Sequence, residues 1–216
     1  MNGRMITVKG KGCTSAPPDW VKIVMNMEAK SLKYEKTLNL AAKQLEQLRK
    51  SLEEHGFDKK DLKTTSFNVD TSYRRVEDEN GDYKRVFEGY TCSQNLYVGF
   101  EIDNKRLGST LLSLSCCKSK PEFSIRYQLK DKKIIEEEIL KNAIADATNK
   151  AKVIAGAADI SLGKIISIDY SWSEVKFIRE NFELMELSCK SSLESIDIEP
   201  DEIEASDTVS VVWEIK

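Results

Sequence analysis

Apolar residues recur along this chain in two periods, and the switches between them mark its elements. Val21, Ile23, Met25, Met27 and Ala29 alternate with Lys22, Asn26, Glu28 and Lys30, the two-residue period of a strand with one buried face. Leu38, Ala41, Leu45, Leu48 and Leu52 then step by three and four, which predicts an amphipathic helix. Ser31 is a candidate cap for it, and Gly56 in His55-Gly56 suits the left-handed position that ends a helix. Phe67, Val69, Thr71 and Tyr73 alternate again, as do Tyr90, Cys92, Gln94, Leu96, Val98, Phe100 and Ile102. Between these runs lies a polar span from Arg74 to Arg85 containing Asn80-Gly81, a hairpin signal; its length predicts a protruding arm. Gly89 offers a place for a bulge. Asp103 is positioned to cap a short helix carrying Leu107, Leu111, Leu112 and Leu114, and Phe123, Ile125, Tyr127 and Leu129 predict a further strand.

The strongest helical signal follows. Ile135, Ile139, Ala143, Ala147, Ala151 and Ala155 fall at strict four-residue spacing, so they share one helix face. A ridge that becomes all alanine lets the helix axis lie close to whatever it packs on, most simply a sheet. Asp131 is a candidate cap, without the glutamate that would complete a capping box. Ile166, Ile168, Tyr170 and Trp172 then predict a half-buried strand. From Glu183 to Asp207 there are nine carboxylates and one lysine; this span reads as a solvated loop or arm, with a short helix around Phe182 to Leu187. Val209, Val211, Trp213 and Ile215 close the chain as a strand of the central sheet. At the other end, Ile6 and Val8 begin a strand that stops at Gly10-Lys11-Gly12, where the glycines suggest a bend or bulge. A dinucleotide loop is excluded there, because no helix opens at once and Ala16-Pro17-Pro18-Asp19 intervenes.

Together these elements predict an α+β fold: a mixed, mainly antiparallel sheet packed by two long helices and one shorter helix, with a protruding hairpin arm. The expected organisation is a single domain over 1–216, divisible into two strand–helix–strand halves, 1–102 and 103–216.

Composition narrows the function. A net charge of −3 argues against a nucleic-acid surface. No stretch approaches the roughly 18 apolar residues of a membrane helix. Met1 to Thr7 holds no apolar run of signal-peptide length, so a full-length chain is expected in the cytoplasm; the alternative is an exported chain whose signal has been removed. One histidine, and five cysteines with no Cys-x-x-Cys pair, give no metal-ligand spacing, and no cofactor is expected. His55 lacks a neighbouring nucleophile in sequence, and a helix-end role accounts for it. The adjacent thiols Cys116 and Cys117 are the one reactive constellation. They read as a redox switch, with Cys92 as a candidate third thiol, or as small apolar packing residues.

The order of several short motifs resembles the SIMPL-domain family. These are Ile6-x-Val8-x-Gly10-x-Gly12 with Pro18-Asp19, Leu62-x-Thr64-Thr65-x-Phe67, and Gly89-Tyr90. Ala143-x-x-Asp146-Ala147-x-x-x-Ala151, Ile166-x-Ile168 and Ile198-x-Pro200 before Val209 and Val211 complete the series. The resemblance covers nearly the whole chain. It implies a mixed α/β fold and self-assembly, periplasmic relatives of ring- or channel-like form, and in some a link to oxidative-stress defence. It supplies no catalytic residues. This chain departs from the pattern in lacking an export signal and in carrying Asp201 where the family commonly has glycine. The resulting expectation is a non-enzymatic, self-associating binding or scaffold protein, a homo-oligomer; the alternative is a redox-responsive protein using Cys116 and Cys117.

Overall fold

A leucine ridge on one helix and an alanine ridge on another are packed against separate sheets. The structure, a computed structural model, describes residues 4–77, 81–170, 176–178 and 199–216. In chain order the elements are β1 (Met5–Ala16), β2 (Trp20–Ser31), α1 (Tyr34–Glu53), β3 (Lys63–Glu77), β4 (Tyr83–Glu101), α2 (Asn104–Cys116), β5 (Glu122–Gln128), α3 (Lys133–Ala157), β6 (Leu162–Asp169), β7 (Lys176–Ile178) and β8 (Ile203–Ile215). The α+β class holds, and the pairings are antiparallel. The strands divide between two sheets instead of building one. The leucine ridge of α1 and the alanine ridge of α3 each pack on a sheet of their own.

The first compact unit gathers Met1–Asp19, Gln128–Glu180 and Pro200–Lys216. Its sheet runs β1-β8-β6, with β7 also on β8. The alanine ridge of α3 is buried in full, from Ile135 through Ala155. It packs on Val8 of β1 and on Val209, Val211 and Trp213 of β8. Gly10 and Gly12 sit at the closest approach. A Cβ built on Gly10 would overlap the Ala143 carbonyl oxygen and lie 2.7 Å from the Ala147 Cβ; one on Gly12 would overlap the Ile139 carbonyl. The expected bend is therefore absent. β1 pairs with β8 in unbroken register from Met5 to Ala16, and the glycines are there for space, not for backbone freedom. Alanines contribute little burial energy, whereas a buried Ile or Leu is worth about 1.5–3 kcal/mol; closeness of packing has to supply the rest.

That closeness lets α3 act as a neighbour strand for the free edge of β1. Asn142, Asp146 and Lys150 stand four apart on one helix face. The Asn142 side-chain amide donates to the Cys13 carbonyl at 3.2 Å, the Lys11 N–H donates to Asp146 Oδ2 at 2.7 Å, and Lys150 Nζ reaches the Lys9 carbonyl at 3.5 Å. Lys150 also pairs with Asp146 at 2.7 Å. Three outward groups at the middle of this edge strand, normally a template for another chain, are thus taken. The Lys150 ammonium, first, and the Lys11 N–H hold the Asp146 carboxyl below its ordinary value.

Two expectations in this unit need correction. The strand over β6 is not half-buried: Ile165, Ile166 and Ile168 are 49%, 52% and 48% exposed, because α3 lies over β1 and β8 and leaves β6 uncovered. Trp172, placed on that strand by its alternation, lies outside the described residues. The acidic span does not stay a solvated arm to Asp207 either. Ile203, Ala205 and Asp207 face inward as the first part of β8, while the short helix expected around Phe182 to Leu187 falls outside the described residues.

The second unit is built on Trp20–Tyr127, with the sheet order β3-β4-β2-β5. Its core joins Ile23, Met25, Leu96 and Val98 of the central strands to Leu48 and Leu52 of α1 and to Leu107, Leu111 and Leu114 of α2. Asp103 caps α2 as its spacing predicts, accepting from the Lys105 and Arg106 N–H groups at 3.0 and 3.1 Å. Ser31 does not cap α1: Lys33 holds the N-cap position without a side-chain cap, and Ser31 Oγ accepts only the Lys33 N–H at 3.4 Å. Gly56 takes the left-handed conformation, φ 77°.

Substituting alanine at Gly10 or Gly12 is expected to cost about 3 kcal/mol or more, because backbone must shift to admit the methyl. Gly156 in α3 faces open space, so Gly156→Ala should stabilise by about 0.5–1 kcal/mol. Urea midpoints of the three variants check both, and equal effects at all three sites would refute the packing account. Asp146 gives a pH signature. Its folded-state pKa is lowered from 3.8, so its contribution is present above that value and is lost as pH falls through the folded one. The stability gap between wild type and Asp146→Asn should be full at pH 6 and close below about pH 4; a gap unchanged down to pH 3 would contradict it.

Candidate functional site

The feature most suited to recognition is the β3–β4 hairpin of the second unit. The polar span from Arg74 to Arg85 is not a loose arm at its flanks: β3 runs to Glu77, β4 begins at Tyr83, and these two residues pair. Residues 78–80, with Asn80, lie outside the described residues, and Gly81 has φ 82°. Gly89 marks a bulge as its position predicts, the register shifting between Ser72 and Tyr73 so that Glu88 is extra on β4. Gly89 has φ 137°, and a Cβ there would meet the Ser31 carbonyl. The bulge falls on β4, which leaves β3 continuous from Ser66 to Glu77.

Beyond the start of α1 the hairpin runs without helix cover, and aromatic rings occupy the face the helix leaves. Tyr34, the first residue of α1, meets Tyr90 edge-on at 5.4 Å between centroids. Tyr90 meets Phe87 at 5.4 Å, and Phe87 meets Tyr73 at 5.9 Å. The Arg85 guanidinium lies 4.9 Å over the Tyr73 ring. T-shaped contacts of this kind are worth about 0.5–1.5 kcal/mol each, enough to order the row but not to hide it. Tyr34, Tyr73 and Phe87 remain 51%, 47% and 43% exposed, and Tyr83, on the same face of the hairpin, is exposed as well. Exposed aromatics rimmed by arginine have the composition of an interaction surface. The sequence gives no periodic sign of this row, since its members come from α1, β3 and β4.

The candidate thiols occupy unlike surroundings. Cys116 ends α2 and is exposed, whereas Cys117 is buried. Cys117 Sγ lies 3.1 Å from Ser119 Oγ and Cys116 Sγ lies 3.8 Å from Ser115 Oγ. Cys92 packs among Ala29, Ala41 and Val69, and burial pushes its thiol pKa up, disfavouring the reactive thiolate. All three are free, as is the exposed Cys13 on β1; Cys189 lies outside the described residues. His55 stands in the turn after α1, its N–H bonded to the Leu52 carbonyl at 3.0 Å. In the first unit Asp207 is a buried carboxylate. Its Oδ1 accepts the Thr208 N–H at 2.6 Å, and its hydrogen bond with the Tyr170 hydroxyl raises the Tyr170 pKa. Among the described residues no three His, Cys, Asp or Glu side chains converge as a metal site would require, and no helix is long and apolar enough to cross a membrane.

A glycine strand under an alanine helix, in an α+β protein with a long exposed hairpin, is the setting in which the sequence comparisons fall. The family model named SIMPL, described as "Protein of unknown function (DUF541)", matches residues 6–213, so the chain belongs to the SIMPL family. It is similar to the 26 kDa periplasmic immunogenic protein of Brucella melitensis biotype 1, at 27% identity over 168 residues, 76% of this chain. The protein of the same name from Brucella abortus (strain S19) matches equally. The matched stretch spans 65% of the length of these relatives. Their name places them in the periplasm, and this overturns the expectation of a cytoplasmic chain. That expectation rested on the residues at the N-terminus, which carry no information about compartment if they are not where the natural chain begins.

Proposed function

We propose that this protein is a non-enzymatic, self-associating scaffold that works outside the cytoplasm, as its periplasmic relatives do by name. The observation that carries the reading is the unequal treatment of two sheet edges. Edge strands are normally blocked, covered or used. The free edge of β1 is blocked by Asn142, Asp146 and Lys150, whereas β3 ends its sheet with a strand of 15 residues beside an exposed aromatic row. Closed assembly is the usual way such an edge is satisfied. Light scattering on a sizing column, over a hundred-fold range of concentration, tests it. A discrete species well above the 24.5 kDa of one chain is expected, and a monomer throughout would sink the reading.

A second reading rests on Cys116, an exposed free thiol next in sequence to Cys117. Under it, mild peroxide takes two electrons from the pair and joins the two sulfurs, releasing water. The count of titratable thiols then falls by two in the wild type and not in a Cys116→Ser/Cys117→Ser chain. Equal losses in the two proteins remove this reading.

A further inference from the structure

Resting on the self-association reading, we propose that the contact is made by β3 pairing antiparallel with β3 of a second copy across a two-fold axis at Ser72. An axis perpendicular to two paired antiparallel strands sets residue n+k of one copy opposite n−k of the other, on the same face. The bulge at Thr64/Ser66 ends the regular part of β3 on one side and Glu77 ends it on the other. An axis at Ser72 therefore pairs 67–77 of one copy with 77–67 of the next, using nearly the whole regular edge.

The same register matches the charges. Asp70 of each copy falls opposite Arg74 of the other, twice over by symmetry. Within one chain neither side chain has an ion-pair partner among the described residues, and both are exposed. Moving the axis one residue to Thr71 sets Asp70 against Ser72 and Arg74 against Asn68; moving it to Tyr73 sets Asp70 against Val76 and Arg74 against Ser72. Both shifts lose the two charge pairs. On the opposite face, Tyr73 comes beside Thr71 of the second copy, whose own partner on β4 is Tyr90. The aromatic rows of the two copies then run on from one to the other, which gives their exposed rings something to cover them.

The occupant is a second copy because the edge is complementary to itself. Cross-linking and charge exchange test it in a chain carrying Cys13→Ser, Cys116→Ser and Cys189→Ser. Ser72 of one copy would face Ser72 of the other with Cα atoms about 4.5–5.5 Å apart, within the span of a disulfide. Ser72→Cys should give a covalent dimer under mild oxidation, and Ser66→Cys, which this register sets far from Ser66 of the second copy, should not. Asp70→Arg alone, and Arg74→Asp alone, each replace attraction by repulsion and should raise the concentration of half-dissociation about tenfold. Both together in one chain should restore it, a rescue that no loss of folding would produce. If the protein assembles while Ser72→Cys stays unlinked and the charge changes are silent, this interface is wrong and self-association stands. If it is a monomer at every concentration, the scaffold reading fails first.

Discussion

Two glycines facing an alanine ridge hold the first unit together. Gly10 and Gly12 let β1 lie against the backbone of α3 at Ile139, Ala143 and Ala147, with nothing larger than an alanine methyl met at Gly10. Three other features accompany that closeness. The short side chains of Asn142 and Asp146 reach the main chain of β1 only because the helix is so near. The larger side chains of the core, Val209, Val211 and Trp213, come from β8 and pack with the alanines of α3. The helix also covers β1 and β8 alone, leaving the isoleucines of β6 open.

The second unit solves the ordinary problem in the ordinary way. Leu48 and Leu52 of α1 stand off the sheet by the width of their own side chains and close over Ile23, Met25, Leu96 and Val98. Its helix α1 is shorter than its longest strand. β4 runs 19 residues, about 60 Å at the usual rise, and α1 runs 20 residues, about 30 Å. Half of such a strand must project past any helix laid along it. The uncovered hairpin and its aromatic row follow from that difference in rise, without any special sequence.

Much of this was legible in the sequence because both periods are strong. The four-residue series from Ile135 to Ala155, the alternation of Val21 to Ala29 and the cap at Asp103 all appear where their spacing puts them. What escaped was information about neighbours. Gly10 and Gly12 read as breaks because a glycine inside a strand pattern signals a bend unless its opposite number is known, and that number lies some 130 residues away. Ile203, Ala205 and Asp207 were hidden by Glu202, Glu204 and the carboxylates before them, although their alternation is the start of β8. The hairpin was predicted from Asn80-Gly81, but the aromatic row was not, since Tyr34, Tyr73, Phe87 and Tyr90 share no period. Cys116 and Cys117 are adjacent in sequence and separated by burial, which adjacency alone does not show.

The pairing of β1 with β8 has a consequence for how the chain comes to be folded. The second unit is built on one run, Trp20 to Tyr127, and its partners emerge from the ribosome in quick succession. The first unit is not: β1 is made well before the strand that pairs with it, which begins at Ile203. Until β8 arrives, β1 and the alanine face of α3 have no completed sheet to join, and the loop between the two strands must be closed at full length. The interrupted unit therefore finishes after the one inserted within it. A chain whose synthesis stops short of Ile203 carries a complete inner unit and an outer one with no means of closing.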